Sequence, residues 1–299
     1  MRHTGFLLLS FVAALLSCSS DDEPEQRTDG RKLRQLTIAE VPVTRATLTA
    51  SASSLGAAWE AGDQATYFNV TAFQDISPTM RFGDLTASSS AETSTFTGTV
   101  YCNTDDNVAL FYPQQTVPTQ GTNRGKFTIS LNGQDGKLET IAKTFHYVYG
   151  VATVTSVTES TANATIDNMQ SLLAVCKFTF EDASGNNIPV KTLTINYYYN
   201  TYSYQMGYPL TATLTPTEDA SSITLNYPGQ SDDVWSDNGL SITLASETSS
   251  GVYVALFPYS LTGYLHFSVT NSSGTYTGTA KATLNAGRYY PVTLKLNQQ

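Results

Sequence analysis

Ala174-Val175-Cys176-Lys177-Phe178-Thr179-Phe180 is the stretch that decides the fold. Ala174, Cys176, Phe178 and Phe180 fall on one side of an extended chain, the period of two that marks a strand with one buried face. Similar runs recur on both sides of it. Towards the N-terminus they are Thr66–Thr71, Thr95–Cys102, Val108–Tyr112 (ended by Pro113) and Gly125–Leu131. Towards the C-terminus they are Val190–Tyr199, Ser222–Leu225, Leu240–Leu244, Val252–Phe257, Tyr264–Val269, Thr275–Ala282 and Tyr289–Leu296. Gly62-Asp63, Asp105-Asp106-Asn107, Asn132-Gly133, Asp135-Gly136 and Gly185-Asn186-Asn187 supply turn chemistry between them.

Composition agrees with this reading. Of 299 residues only 14% are charged, while 40% are apolar and 18 are Tyr and 13 Phe. A helix-rich chain needs more Glu, Lys and Arg, whereas Thr and aromatic residues suit a pleated, half-buried surface. An all-β chain is therefore expected, built as sandwiches or barrels. No short-period repeat is visible, which argues against a propeller or solenoid. The polar stretch Thr155–Asp167 divides the strands into two blocks, placing an N-terminal domain at 46–167 and a C-terminal one at 168–299.

The first residues set the compartment. Arg2 and His3 precede the apolar run Phe6–Leu16, far shorter than the roughly 20 residues of a membrane span. Leu15-Leu16-Ser17-Cys18 closes it and resembles a bacterial lipobox, in which cleavage leaves an acylated (palmitate-type) Cys18 as the new terminus. Residues 1–17 are read as the lipoprotein signal and 18–45 as the acylated tether with a removable strand. Ser19-Ser20-Asp21-Asp22-Glu23-Pro24-Glu25 is acidic and too polar for a core, and resembles a signal for the outer face of the outer membrane. Arg27, Arg31, Lys32 and Arg34 continue it as a charged linker up to residue 35. A strand with Leu36, Ile38, Val41 and Val43 as its apolar positions follows. Its alternation breaks at Ala39-Glu40, and with Pro42 this suggests a bulge or an edge strand.

Several chemistries are disfavoured. Sixteen basic residues against 25 acidic ones give a net charge of −9, the wrong sign for nucleic acid. Of three His, His3 is in the signal, and His146 and His266 lie in strand-like aromatic surroundings with no Gly-x-Ser-x-Gly elbow. Asp105-Asp106 and Asp232-Asp233 with Asp237 lack the spacing of a calcium loop and read as solvated turns. No cofactor, metal site or catalytic residue is expected. Cys102 and Cys176 are either a disulfide or buried thiols. Tyr197-Tyr198-Tyr199, Tyr202-Ser203-Tyr204 and Trp235 suit either sheet packing or a sugar-stacking platform.

Both ends of the folded region carry a resemblance. Thr44-Arg45-Ala46-Thr47-Leu48 with Trp59-Glu60-Ala61-Gly62-Asp63 is similar to the opening of the fimbrillins, lipoprotein pilins of Gram-negative anaerobes. Tyr147-Val148-Tyr149-Gly150 and the strand Cys176–Phe180 resemble their interdomain region. Asn285-Ala286-Gly287-Arg288-Tyr289-Tyr290-Pro291-Val292-Thr293-Leu294 resembles their last strand. The resemblance implies two tandem transthyretin-like β-sandwich domains after the signal and tether. It implies an extracellular Arg-specific protease cutting at Arg45, and a groove refilled by a strand from another subunit. Such a donor makes main-chain bonds while alternate side chains fill the groove. Val292, Leu294 and Leu296 are the candidate donor positions, or else an internal strand of the second domain.

The expected protein is thus a non-enzymatic fimbrial subunit, lipid-anchored through Cys18 at the cell outer membrane, with other fimbrial subunits as partners and a host protein or glycan as adhesion target. A surface glycan-binding lipoprotein is the alternative, and a hydrolase the weakest reading.

Overall fold

Pairing the alternating strands removes their backbone groups from water. Residues 30–42, 47–50, 55–72, 80–116, 127–198, 205–216, 223–226, 239–258 and 264–299 are described by a computed structural model. Their structure is almost wholly β. The first strands are β1 (Lys32–Pro42), β2 (Thr47–Ala50), β3 (Leu55–Ala58), β4 (Gln64–Asn69), β5 (Phe82–Ala87), β6 (Thr93–Cys102) and β7 (Asn107–Tyr112). Next come β8 (Phe127–Ser130), a helical turn α1 (Leu138–Thr140) running into a π-type turn (Ile141–Phe145), β9 (Val148–Val157) and β10 (Thr161–Ser171).

Seven of these strands close into a barrel in the order β1-β10-β9-β7-β4-β5-β6. Two facing sheets were one outcome of the strand pattern. Instead the hydrogen bonding runs right round, because β1 lies antiparallel to β6 and parallel to β10 and bridges the gap between them. Inside lies a core that includes Leu36, Ile38, Trp59, Leu85, Phe96, Val100, Leu110 and Val154.

The remaining strands are β11 (Ala174–Glu181), β12 (Val190–Tyr198), β13 (Gln205–Met206), β14 (Thr211–Pro216), β15 (Ile223–Asn226) and β16 (Leu240–Thr248). They continue with β17 (Val252–Leu256), β18 (Tyr264–Asn271), β19 (Gly274–Ala280), β20 (Tyr289–Lys295) and β21 (Asn297–Gln298). β11 lies between β17 and β20, and its inward Phe178 meets the Phe267 ring of β18 edge-on at 5.1 Å. β12 pairs with β18 along one edge and with β16 and β13 along the other. A second core results, containing Phe178, Phe180, Leu193, Ile242, Val254 and Phe267.

The two cores do not divide the chain at one point. Ile129, Leu131, Ile141 and Phe145 precede β9 yet belong to the second core. The polar stretch 155–167 runs through the β9–β10 hairpin, and β10 continues to Ser171. β8 pairs with β14, and Phe127 and Leu214 pack on Phe68, Phe111 and Tyr149 in a third cluster.

Candidate functional site

The site is the seat of β1. Leu36, Ile38 and Val41 are wholly buried in the barrel. Burying such side chains stabilises the strand's docking by about 1.5–3 kcal/mol each. Strict alternation from Leu36 and Ile38 would drive Glu40 inward. The ladder prevents this, because Ile38 faces Phe96 and Val41 faces Ser94, one extra residue on β1. Glu40 takes a left-handed φ of 50° and stays exposed, so Val41 points in. Pro42 and the bulge suggested an edge, yet β1 is paired on both sides. Pro42 is its last residue, where a missing N–H costs least.

Charge holds the leading end. Residues 31–35 were expected to belong to a charged linker, but β1 begins at Lys32, and Arg31 and Arg34 are each only 7% exposed. Arg34 Nε donates to the Thr158 carbonyl at 2.7 Å, and its Nη1 donates to the Cys102 carbonyl, tying the strand to the β9–β10 turn and to β6. Arg31 is bidentate on Asp106, with Nε to Oδ2 at 2.7 Å and Nη2 to Oδ1 at 2.8 Å. Asp106 Oδ2 also accepts from Asn69 Nδ2 and the Asn103 backbone N–H, each at 2.9 Å. Asp106 was read as part of a solvated turn, but it is 2% exposed. Lys32 and Glu159 form an exposed pair at 2.6 Å, which by comparison adds little.

Trp59 closes the far end. Its Nε1 donates to the Val41 carbonyl at 3.2 Å, and its ring meets Phe96 and Tyr112 edge-on at 4.9 and 5.2 Å. The Gly62-Asp63 turn beside it uses a left-handed glycine, and Asp63 Oδ2 accepts from the Glu60 backbone N–H.

The other predicted positions are placed as follows. Val292 and Leu294 on β20 are half-buried, and Leu296 is buried in the second core. β20 runs parallel to β11, and among the described residues no strand pairs with its other edge. Cys18, Val43 and Arg45 lie outside the described residues, as do Asp232, Asp233, Asp237, Tyr199, Tyr202, Tyr204 and Trp235. Tyr197 is buried in the second core. Cys102 and Cys176 are free and buried, which decides between thiols and a disulfide. Burial pushes Cys176 up to about 12, and burial with the nearby Asp106 pushes Cys102 up to about 11 against the pull of Arg34 and Arg31. Such thiols are poor nucleophiles.

His146 Nε2 lies 3.0 Å from Ser171 Oγ. That hydroxyl also lies within donating distance of the Leu173 carbonyl, at 3.2 Å. Among the described residues no group of His, Cys, Asp or Glu is arranged to hold a metal ion.

What this fold and site define is an all-β protein with two main cores and an N-terminal strand sealed into a closed barrel. No protein-family model matches the chain, and no curated protein does. Solved structures are similar in fold. A candidate cell adhesion protein of Bacteroides ovatus superposes with a TM-score of 0.54 at 14% identity, covering 89% of this chain and 92% of that one. Another, from Bacteroides uniformis, gives 0.51 at 15% identity, covering 91% and 94%.

Proposed function

We propose that the chain is a structural, non-enzymatic subunit of a cell-surface fimbrium that serves adhesion. In this reading it is exported as a lipoprotein anchored to the outer membrane through Cys18. An extracellular Arg-specific protease cuts after Arg45, releasing the segment that carries β1. A strand from another subunit then takes the vacated place. The barrel and the second core are read as two transthyretin-like units in tandem, and the C-terminal strand with Val292, Leu294 and Leu296 is the candidate donor to a neighbour.

The observation that carries the reading is the seat of β1. It is the first described strand, and it fills a position between β6 and β10 with three wholly buried apolar side chains. Removing it would bare two unpaired strand edges and an apolar groove, which a second strand satisfies best. The description of the similar Bacteroides structures as candidate cell adhesion proteins agrees with this reading.

The test is to incubate the purified precursor with an Arg-specific protease and follow its size. A discrete cut after Arg45, followed by oligomers visible on size-exclusion chromatography, is the expected result. A precursor that is not cut there, or that stays monomeric once cut, removes the strand-exchange reading.

A further inference from the structure

Resting on that reading, we infer that Asp106 selects the incoming strand by its charge. The occupant is an extended segment of a different kind of subunit that carries Arg or Lys at its leading end, five residues ahead of the first inward apolar side chain, a position that Gly287 holds ahead of Val292 in this chain's own C-terminal strand.

The argument starts from what β1 takes with it. Arg31 lies on the segment that cleavage would release, so the vacated groove loses both guanidinium contacts to Asp106. The carboxylate itself does not move away. Asn69 on β4 and the Asn103 backbone N–H still hold Oδ2, while the Asp106 backbone carbonyl accepts from Val154 N–H at 2.9 Å. Asn69 is itself wholly buried and is fixed by a second bond from Nδ2 to the Tyr101 carbonyl at 2.9 Å. The groove thus keeps a carboxylate preorganised at one end of an apolar channel. Two neutral donors on Oδ2 do not compensate its charge.

A strand that covers Asp106 with an apolar or neutral side chain buries that charge without a partner, which is costly. One that brings a guanidinium in the same register restores the bidentate pair. Arg31 precedes Leu36 by five residues, and Ile38 and Val41 follow at two and five more. That spacing, with a bulge before the last position, is the pattern the groove reads. An acidic residue at the leading position is excluded by repulsion, so Asp106 both attracts the right strand and rejects wrong ones. The charge also fixes register, because a slip of one residue would turn the apolar set out of the groove.

The experiment uses the precursor cut by an Arg-specific protease and freed of its released segment in mild denaturant. Labelled peptides spanning residues 30–42 are then added, in the native sequence or carrying Arg31→Gln, and their dissociation constants measured. The native peptide is expected to bind, with the Arg31→Gln peptide weaker by about 30-fold or more. On protein carrying Asp106→Asn the two peptides are expected to differ by about threefold or less. Equal binding of both peptides to unsubstituted protein overturns the selection by Asp106 and leaves strand exchange standing. If neither peptide binds the emptied groove, strand exchange itself falls, and the selection with it. Should Asp106→Asn fail to fold, the comparison of the two peptides on unsubstituted protein decides.

Discussion

Cys102 and Cys176 sit in different cores, and each is nearly without solvent contact. A thiol there is stable only while neutral, which is why burial raises Cys176 from an ordinary 9.0 to about 12. Cys102 is raised to about 11 for the same reason, with Asp106 adding to the effect and two arginines opposing it. The folded values exceed the unfolded ones, so between them the folded chain binds more protons. The stability these thiols contribute is fully present below pH 9 and is lost as pH rises towards 11 and 12. Each thiol steepens the decline by up to about 1.4 kcal/mol per pH unit. Urea midpoints measured from pH 8 to 11 should therefore fall, and fall less steeply in a Cys102→Ala/Cys176→Ala variant. Tyr289, pushed up to about 12 chiefly by burial and in smaller part by Tyr253 and Cys176, adds an alkaline loss that the cysteine variant keeps except for the Cys176 share. Identical slopes with and without the thiols would show that their burial is not coupled to folding.

The strand β1 shows at the level of one element what decides its stability. Ile38 is wholly enclosed, while Leu33 on the same strand is 50% exposed. Ile38→Ala should cost about 2–5 kcal/mol, because the barrel cannot collapse around the cavity. Leu33→Ala should change stability by about 0.5 kcal/mol or less. Equal shifts in urea midpoint would mean that β1 is not inserted as described. The strand's apolar face and its bulge were legible, since Leu36, Ile38 and Val41 cannot share one side without an extra residue at Ala39-Glu40. Its two-sided pairing was not legible, because Pro42 and a bulge also suit an edge. Nor were Arg31 and Arg34 as buried groups, since a run of mixed charges looks solvated until Asp106 and two backbone carbonyls are brought to it. The one available signal was phase: Arg34 lies two residues before Leu36, on the inward side. Asp106, 75 residues away from Arg31, carried none.

At the scale of the whole molecule, strand content was legible from alternation, but the way the blocks join was not. The polar stretch 155–167 looked like a boundary because barrel strands need only one apolar face, and β10 presents the small Ala162 and Ala164 inward. β8 carries one part of the junction, and Leu172 packs against both the second core and the third cluster. Phe127 of β8 packs on Phe111 of the barrel at 4.1 Å between ring centroids, while Ile129 two residues on belongs to the second core. β8 also pairs with β14, so one short strand ties together segments far apart in sequence. Phe127→Ala should cost about 3–5 kcal/mol if the ring is as fully packed as its zero exposure indicates. Its more telling effect is on cooperativity. With the aromatic contact in place, the two cores support each other and should open together. Without it, each core keeps its own hydrogen bonds and apolar centre but loses its hold on the other. Native-state hydrogen exchange reads this directly, by comparing protected amides of β6 in the barrel with those of β12 in the second core. In the unsubstituted chain both sets should report the same opening free energy. In Phe127→Ala they should separate by about 1 kcal/mol or more, well outside the usual error of such measurements. If the two sets fall together in the variant, the cores are coupled by contacts other than this ring. If they already differ in the unsubstituted chain, β8 does not couple them at all.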